Sequence, residues 1–215
     1  MRPKVVVVGL LSQSNNCLSC GSSLQHVSPF CLSCKALQPF PPSPPHFFEV
    51  FGLEPALEID ETALRNKFYE LSKKVHPDGH ALQDPLHKMT ASRWSTFINR
   101  AYQNLKDSQA RTEYVLELFS SEIPTQRALP TDLAEAYFEL QERLLENDAQ
   151  RALDTFTEQL AAEEKNCLKE WHRIAKLWDP SKPSKELISQ LQTCWDQQKY
   201  LSSIRSNLEK HKKAL

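Results

Sequence analysis

Cys17-Leu18-Ser19-Cys20 and Cys31-Leu32-Ser33-Cys34 place four thiols within residues 17–34 of a 215-residue chain. No other feature restricts folding so tightly. Each Cys-x-x-Cys turns two thiolates to one side of a tight bend, and residues 21–30 let the second pair complete a tetrahedron. Zn²⁺ is the natural occupant of four thiolates, and iron has similar needs. Ser22, Ser23, His26, Ser28 and Pro29 between the knuckles read as loop, not as a groove-reading helix. Four thiolates fill the metal's shell, so the site reads as structural. The competing readings are two disulfides or four free thiols. A segment this short has little core of its own, and metal binding supplies its folding energy. Cys167 and Cys194, far along the chain, read as small buried hydrophobes.

Residues 1–16 form a leader. Arg2 and Lys4 precede the apolar run Val5–Leu11, which is too short to span a bilayer and lacks a convincing cleavage pattern before Cys17. The expectation is an intracellular protein, in bacterial cytoplasm or, as the alternative, the mitochondrial matrix, although no clear transit peptide is seen. Lys and Arg number 26 against 27 Asp and Glu, so no bulk charge favours a polyanion. Apolar residues make up 40% of the chain, with only 4 glycines and 14 prolines, which points to helices separated by stiff connections. After the knuckle (residues 17–37), residues 38–45 form a proline-rich linker, expected to hold the knuckle away from the next domain.

Beyond the linker the pattern is helical. His46–Leu53 reads as a short helix stopped by Gly52. Asp60 caps a helix with Leu64, Phe68, Leu71 and Val75 on one face and Lys73 and Lys74 in its last turn, where cations suit the dipole. Pro77 ends it. A second run from about Lys88 carries Phe97, Ala101 and Leu105, and a further helix from Ala110 to Phe119 is anchored by Tyr114, Leu118 and Phe119. The two long segments form an antiparallel hairpin whose loop is rimmed by His76, Pro77 and Asp78. His76 and Asp78 suggest an acid/base pair, yet no nucleophile or third orienting group accompanies them. A contact device is the more coherent reading. Asp78 offers an anionic acceptor, and Arg65, Lys67, Lys73 and Lys74 give the preceding helix a basic side that would steer an acidic partner.

The last part of the chain reads as three amphipathic helices. Leu133, Tyr137, Leu140 and Leu144 form the first stripe. Leu153, Phe156, Leu160, Cys167, Trp171 and Ile174 form the second, on a helix from about Ala149 to Trp178. Leu187, Leu191, Cys194, Leu201 and Leu208 form the third, on about Lys185–Lys210.

The run from Phe47 to Phe119 resembles a J-domain, the module by which Hsp40-type co-chaperones engage Hsp70 ATPases, and His76-Pro77-Asp78 matches its signature tripeptide. Phe47-Phe48-Glu49-Val50-Phe51-Gly52-Leu53, Asn99–Leu105 and Arg111–Leu118 resemble more particularly the HscB/Hsc20 co-chaperones of iron–sulfur cluster biogenesis. In most of that family the residue before the histidine is aromatic, whereas Val75 stands here. The resemblance covers about residues 17–210, because many eukaryotic members carry a tetracysteine knuckle and the family's C-terminal domain is a bundle that binds the scaffold protein IscU. By register, Phe138 matches an apolar scaffold contact, Glu139 and Glu142 match acidic ones, and Tyr200 matches an aromatic one. Ala134 and Glu135 stand where the family places larger apolar residues.

The fold expected is therefore all-α: a J-domain (46–120), then an antiparallel three-helix bundle (130–212), behind a small tetracysteine knuckle holding structural Zn²⁺ through Cys17, Cys20, Cys31 and Cys34. The function implied is that of a co-chaperone without chemistry of its own. It would bind an IscU-type scaffold, deliver it to a specialised Hsp70 through His76, Pro77, Asp78 and the basic helix side, and stimulate that partner's ATPase. No nucleic acid or membrane partner is implied. The rivals are a general J-protein recruiting Hsp70 to unfolded clients and a zinc-knuckle adaptor for nucleic acid or protein. Only Lys35 is basic in the knuckle, which disfavours nucleic acid.

Overall fold

The computed structural model describes residues 16–24, 27–76, 84–119, 131–143 and 149–214. Seven helices carry these residues: α1 (Phe47–Val50), α2 (Glu61–Val75), α3 (Pro85–Lys106), α4 (Ser108–Phe119), α5 (Thr131–Arg143), α6 (Ala149–Leu177) and α7 (Lys185–Ala214). The only β-pairing among them is two isolated bridges in the N-terminal segment. The chain divides into two compact units, one ending at Leu118 and the other beginning at Phe119.

In the first unit, caps set the helix boundaries. The His46 Nδ1 accepts from the Glu49 N–H at 3.1 Å and opens α1. Gly52, at φ 68°, closes that turn in the left-handed region where a Cβ is disfavoured. The Asp60 carboxylate accepts from the Thr62 and Ala63 N–H groups, each at 2.9 Å. α3 begins three residues before the expected Lys88, because Asp84 accepts from the His87 N–H and Pro85 fits the first helical position. α4 likewise starts at Ser108, earlier than the expected Ala110; the Asp107 carboxylate accepts from the Ala110 N–H at 2.8 Å.

The hairpin core consists of Leu64, Leu71 and Val75 of α2 against Ala91, Trp94, Ile98, Ala101 and Leu105 of α3. Phe68, half-buried, stacks on Tyr102 with ring centroids 4.0 Å apart. Arg111 is a buried cation, 3% exposed, whose guanidinium donates to the Leu57 and Leu105 carbonyls at 2.8 and 2.5 Å. It thereby satisfies an otherwise orphaned carbonyl near the end of α3. Burial lowers its pKa. The Tyr114 hydroxyl accepts from the Phe47 N–H at 2.9 Å while its ring stacks on Phe47, which ties α4 to α1.

Residues 38–45 do not act as a spacer that keeps the knuckle apart. The Trp94 indole donates to the Gln38 carbonyl at 2.9 Å, and Phe40 meets Trp94 and Phe97 edge-on at 4.8 and 5.6 Å. Proline stiffness presents Phe40 to α3 and seats the segment there.

In the second unit, α6 packs against α5 and against α7. All six expected core positions of α6 are buried. On α7, Leu191, Cys194, Leu201 and Leu208 are buried as expected, whereas Leu187 is only half-buried and Ile188, Trp195 and Ile204 join the core. Asp179 accepts from both the N–H and the hydroxyl of Ser181 in the connecting turn, and the Ser184 hydroxyl accepts from the Leu187 N–H. Arg205 of α7 makes a two-pronged pair with Glu164 of α6, both contacts 2.6 Å. On α5, Tyr137 is half-buried and Leu140 buried; Leu144 and the side chain of Leu133 lie outside the described residues. No helix among the described residues is long and apolar enough to cross a membrane.

Candidate interaction surfaces and metal centre

α2 ends at Val75, and His76 follows as its C-terminal cap, exposed, with extended backbone (φ −60°, ψ 128°). Pro77 and Asp78 lie outside the described residues. The hairpin therefore sets His76 where the chain leaves α2, with α3 returning from Asp84. Arg65, Lys73 and Lys74 are exposed and Lys67 is half-buried. The basic side is less bare than the sequence pattern implies, because Glu70 bridges Lys74 at 2.7 Å and Lys67 at 3.2 Å. Hydrogen bonds from Lys74 and then Lys67 lower its carboxyl pKa. Exposed pairs of this kind contribute about 0–1 kcal/mol, so an incoming carboxylate can replace Glu70 at little cost. Leu86 (67% exposed) and Met89 (48%) lie on the first turns of α3 at this end of the hairpin, and Tyr69 (62%) is exposed in the middle of α2. Sequence reasoning missed them. The available signal was that Leu86 and Met89 fall off the Ala91–Trp94–Ile98 stripe.

The four knuckle sulfurs come together, with all ligand atoms within 4.8 Å of one another. Cys17 and Cys34 sulfurs are 3.6 Å apart and those of Cys20 and Cys31 are 3.8 Å apart. A tetrahedron of thiolates around a metal at about 2.3 Å requires S···S separations of about 3.8 Å. The donor set therefore fits a tetrahedral thiophilic cation. The two halves repeat the same local structure. The Gly21 N–H donates to the Cys17 carbonyl at 2.8 Å, and the Lys35 N–H donates to the Cys31 carbonyl at 3.0 Å. Gly21 (φ 72°) and Lys35 (φ 61°) both sit in the left-handed region, and the Lys35 Nζ returns to the Leu32 carbonyl at 2.6 Å. Bridges Asn16–Ser23 and Phe30–Leu37 close the two loops.

Donors surround the sulfurs. The Ser19 N–H and the Gln38 side-chain amide approach the Cys17 sulfur at 3.4 Å each, and the Ser22 hydroxyl lies 3.3 Å from the Cys31 sulfur and 3.0 Å from that of Cys20. The Ser22 hydroxyl and the Cys34 N–H hold the Cys31 thiol at about 5. The Ala36 N–H pulls Cys34 down, but burial and the three neighbouring thiols outweigh it and leave Cys34 at about 12.

On the bundle, Phe138 is 67% exposed, with Glu139 and Glu142 exposed beside it on α5. Glu139 also lines a groove of about 380 Å³ between α5 and α6, together with Ala136, Leu140, Arg151, Thr155 and Phe156. Ala134 is half-buried and Glu135 exposed. Tyr200 is half-buried on α7, and among the described residues no hydrogen bond or ring contact joins it to the α5 trio.

A helical hairpin with His76 at its turn, braced by α1 and α4, defines a J-domain protein, and the family model described as DnaJ domain matches residues 46–114. The co-chaperone protein HscB homolog of Aliivibrio salmonicida is 30% identical over 145 residues, covering 64% of this chain and 85% of that protein. The iron-sulfur cluster co-chaperone protein HscB of Mus musculus is 26% identical over 189 residues, covering 86% of this chain and 76% of that one. The crystal structure of human co-chaperone protein HscB superposes with a TM-score of 0.65 at 22% identity, over 93% of this chain and 100% of that chain, and supports the same fold. The chain belongs to the HscB family of J-domain co-chaperones.

Proposed function

We propose that this chain binds an IscU-type iron–sulfur scaffold through its second unit, presents it to a specialised Hsp70 through its first, and stimulates that Hsp70's ATPase. The observation that carries the reading is the exposed His76 at the turn of the α2–α3 hairpin, within the residues matched by the DnaJ-domain model. His76, Pro77 and Asp78 supply the contact loop. Arg65, Lys67, Lys73 and Lys74 steer an acidic face of the ATPase, with Glu70 displaced as partner carboxylates arrive. Phe138 supplies an exposed apolar anchor for the scaffold, Glu139 and Glu142 an acidic rim, and Tyr200, on α7, a separate aromatic contact. A chain that holds both partners raises their effective concentration for one another. Hydrolysis then takes place in the Hsp70. The metal of the tetracysteine centre is Zn²⁺ in this reading, because a closed tetrahedral thiolate set suits it and leaves no open position for chemistry.

Hsp70 turnover measured with the wild-type chain and with Asp78→Asn, in the presence and absence of scaffold, tests the proposal. The variant loses at least about tenfold of the stimulation, and Phe138→Ala with Glu142→Ala weakens scaffold binding by about 2 kcal/mol while helicity is unchanged. Full stimulation by Asp78→Asn at saturating concentration overturns the first half; unaltered scaffold affinity of the double variant overturns the second. Tight capture of many denatured proteins in place of the folded scaffold would favour a general J-protein.

A further inference from the structure

We propose that Gln38 is a positioning residue that couples metal occupancy of the tetracysteine centre to the packing of the J-domain core. Gln38 is polar yet only 4% exposed, and its hydrogen bonds point in two directions. Towards the knuckle, its side-chain amide donates to the Cys17 sulfur at 3.4 Å and the Ala36 carbonyl at 2.8 Å, and its backbone N–H donates to the Pro29 carbonyl at 2.8 Å. Towards the helices, its carbonyl accepts from the Trp94 indole N–H at 2.9 Å. Trp94 is fully buried in α3, and an indole N–H is a donor without other use, so displacement of Gln38 leaves a buried donor unsatisfied.

The sulfur end of this chain of contacts changes with metal. Metal coordination fixes the Cys17 sulfur in place, and a fixed sulfur gives the Gln38 amide a fixed acceptor. Binding therefore fixes the Gln38 amide, the amide fixes the residue's backbone, and the backbone carbonyl holds the Trp94 indole. Other contacts run the same way. The Val27 N–H donates to the Glu49 carboxylate at 3.4 Å, and a cavity of about 160 Å³ lies between Leu24, Phe30 and Leu32 of the knuckle and Val50 and Leu71 of α1 and α2. Leu71 shares α2 with Lys73 and Lys74, so any effect on ATPase stimulation rests on the function proposed above. The coupling itself does not.

The test uses the full ¹⁵N-labelled chain and zinc as the probe, without Hsp70. Trp94 is one of 4 tryptophans, and its indole signal is identified by its absence in Trp94→Phe. On removal of zinc by chelation, the Trp94 indole signal shifts and its hydrogen exchange quickens at least about tenfold, while the indoles of Trp171, Trp178 and Trp195 stay in place. Gln38→Met removes the amide and keeps the backbone carbonyl; it weakens zinc binding about tenfold, the range seen when outer partners of a metal ligand are lost. By reciprocity, Trp94→Phe weakens zinc binding several-fold although it touches no cysteine. A Trp94 indole unmoved by zinc removal, or a Gln38→Met variant with zinc affinity within about twofold of wild type, overturns the proposal. If Trp94→Phe fails to fold, Gln38→Met and the chelation experiment decide the matter alone. ATPase stimulation, read separately, reports on the proposed function and not on this coupling.

Discussion

The chain's 6 cysteines sit in two settings that share little beyond the residue. In the knuckle, backbone turns carry the thiols, two are buried and two exposed, and N–H and O–H donors aim at the sulfurs. In the bundle, Cys167 of α6 and Cys194 of α7 face each other at 3.6 Å, 5% and 3% exposed, on the buried stripes that carry Leu160, Trp171 and Ile174 of α6 and Leu191 of α7. Each bundle thiol has the other's carbonyl as its acceptor, at 3.4 and 3.5 Å. The Cys194 thiol lowers the pKa of Cys167, while bonding to Cys167 and burial push that of Cys194 up. The knuckle thiols, which the backbone turns together into one donor set, are placed to hold a metal, whereas the thiols set on helix faces fill space.

The comparison breaks most visibly on metal content. Cys31→Ser removes a buried ligand of the tetracysteine set and takes the chain from about one equivalent of bound zinc to none, measured by elemental analysis after dialysis. The double variant Cys167→Ala, Cys194→Ala retains about one equivalent. Zinc that survives Cys31→Ser, or leaves with Cys167 and Cys194, would invert the assignment of the two sets.

Local signals in the sequence were faithful where the structure is local. The paired Cys-x-x-Cys spacing predicted the cluster, and the Asp60 cap and the Leu64–Val75 stripe predicted α2. The strong apolar stripe of α6 gave all six of its named core residues. What escaped was non-local or ambiguous in register. Five prolines in residues 38–46 report stiffness, not the face on which the segment lies, and the Gln38–Trp94 bond spans 56 positions that no periodicity links. On α7, Leu187 and Ile188 compete for one inward position; the pattern alone favours the former, whereas packing buries the latter. Glu70 stands at i,i+3 from Lys67 and i,i+4 from Lys74, so helix spacing alone carries the signal that it masks the basic side. Of the residues proposed to meet a scaffold, Phe138 lies off the Leu133–Leu144 stripe and is exposed, whereas Tyr200, matched by resemblance alone, sits half-buried on another helix.

A smaller effect sharpens the space-filling half of the comparison. Cys167→Ala together with Cys194→Ala deletes two buried sulfurs from the α6–α7 seam and costs about 2 kcal/mol, in the manner of other core truncations. For a unit of this size that lowers Tm by roughly 10 °C. Calorimetry on the full chain reads the second unit's transition, with zinc content measured alongside. A Tm within about 2 °C of wild type would mean the sulfurs contribute little to the seam, against their burial.

The last effect is on protons, and its sign follows from the thiols. A ligand that carries a proton in the metal-free chain and loses it on binding makes metal affinity rise about tenfold per pH unit. Cys31, at about 5, is already a thiolate at neutral pH and adds nothing to the slope there. Cys34, at about 12, keeps its proton until the metal takes its place. The metal-free state thus binds more protons than the loaded state, and raising the pH favours loading. From about pH 6 to about pH 8, zinc affinity measured by competition rises by at least about tenfold per unit. Ser22→Ala removes the hydroxyl that holds Cys31 low, so Cys31 regains a proton over part of this range and the slope steepens towards its acid end. The bundle pair provides the contrast. The raised pKa of Cys194 keeps that thiol protonated across this window, and the second unit's Tm gains no dependence on pH from it. A flat zinc affinity across the window would show that the four thiols do not give up protons to a metal, and would remove the distinction between the two sets.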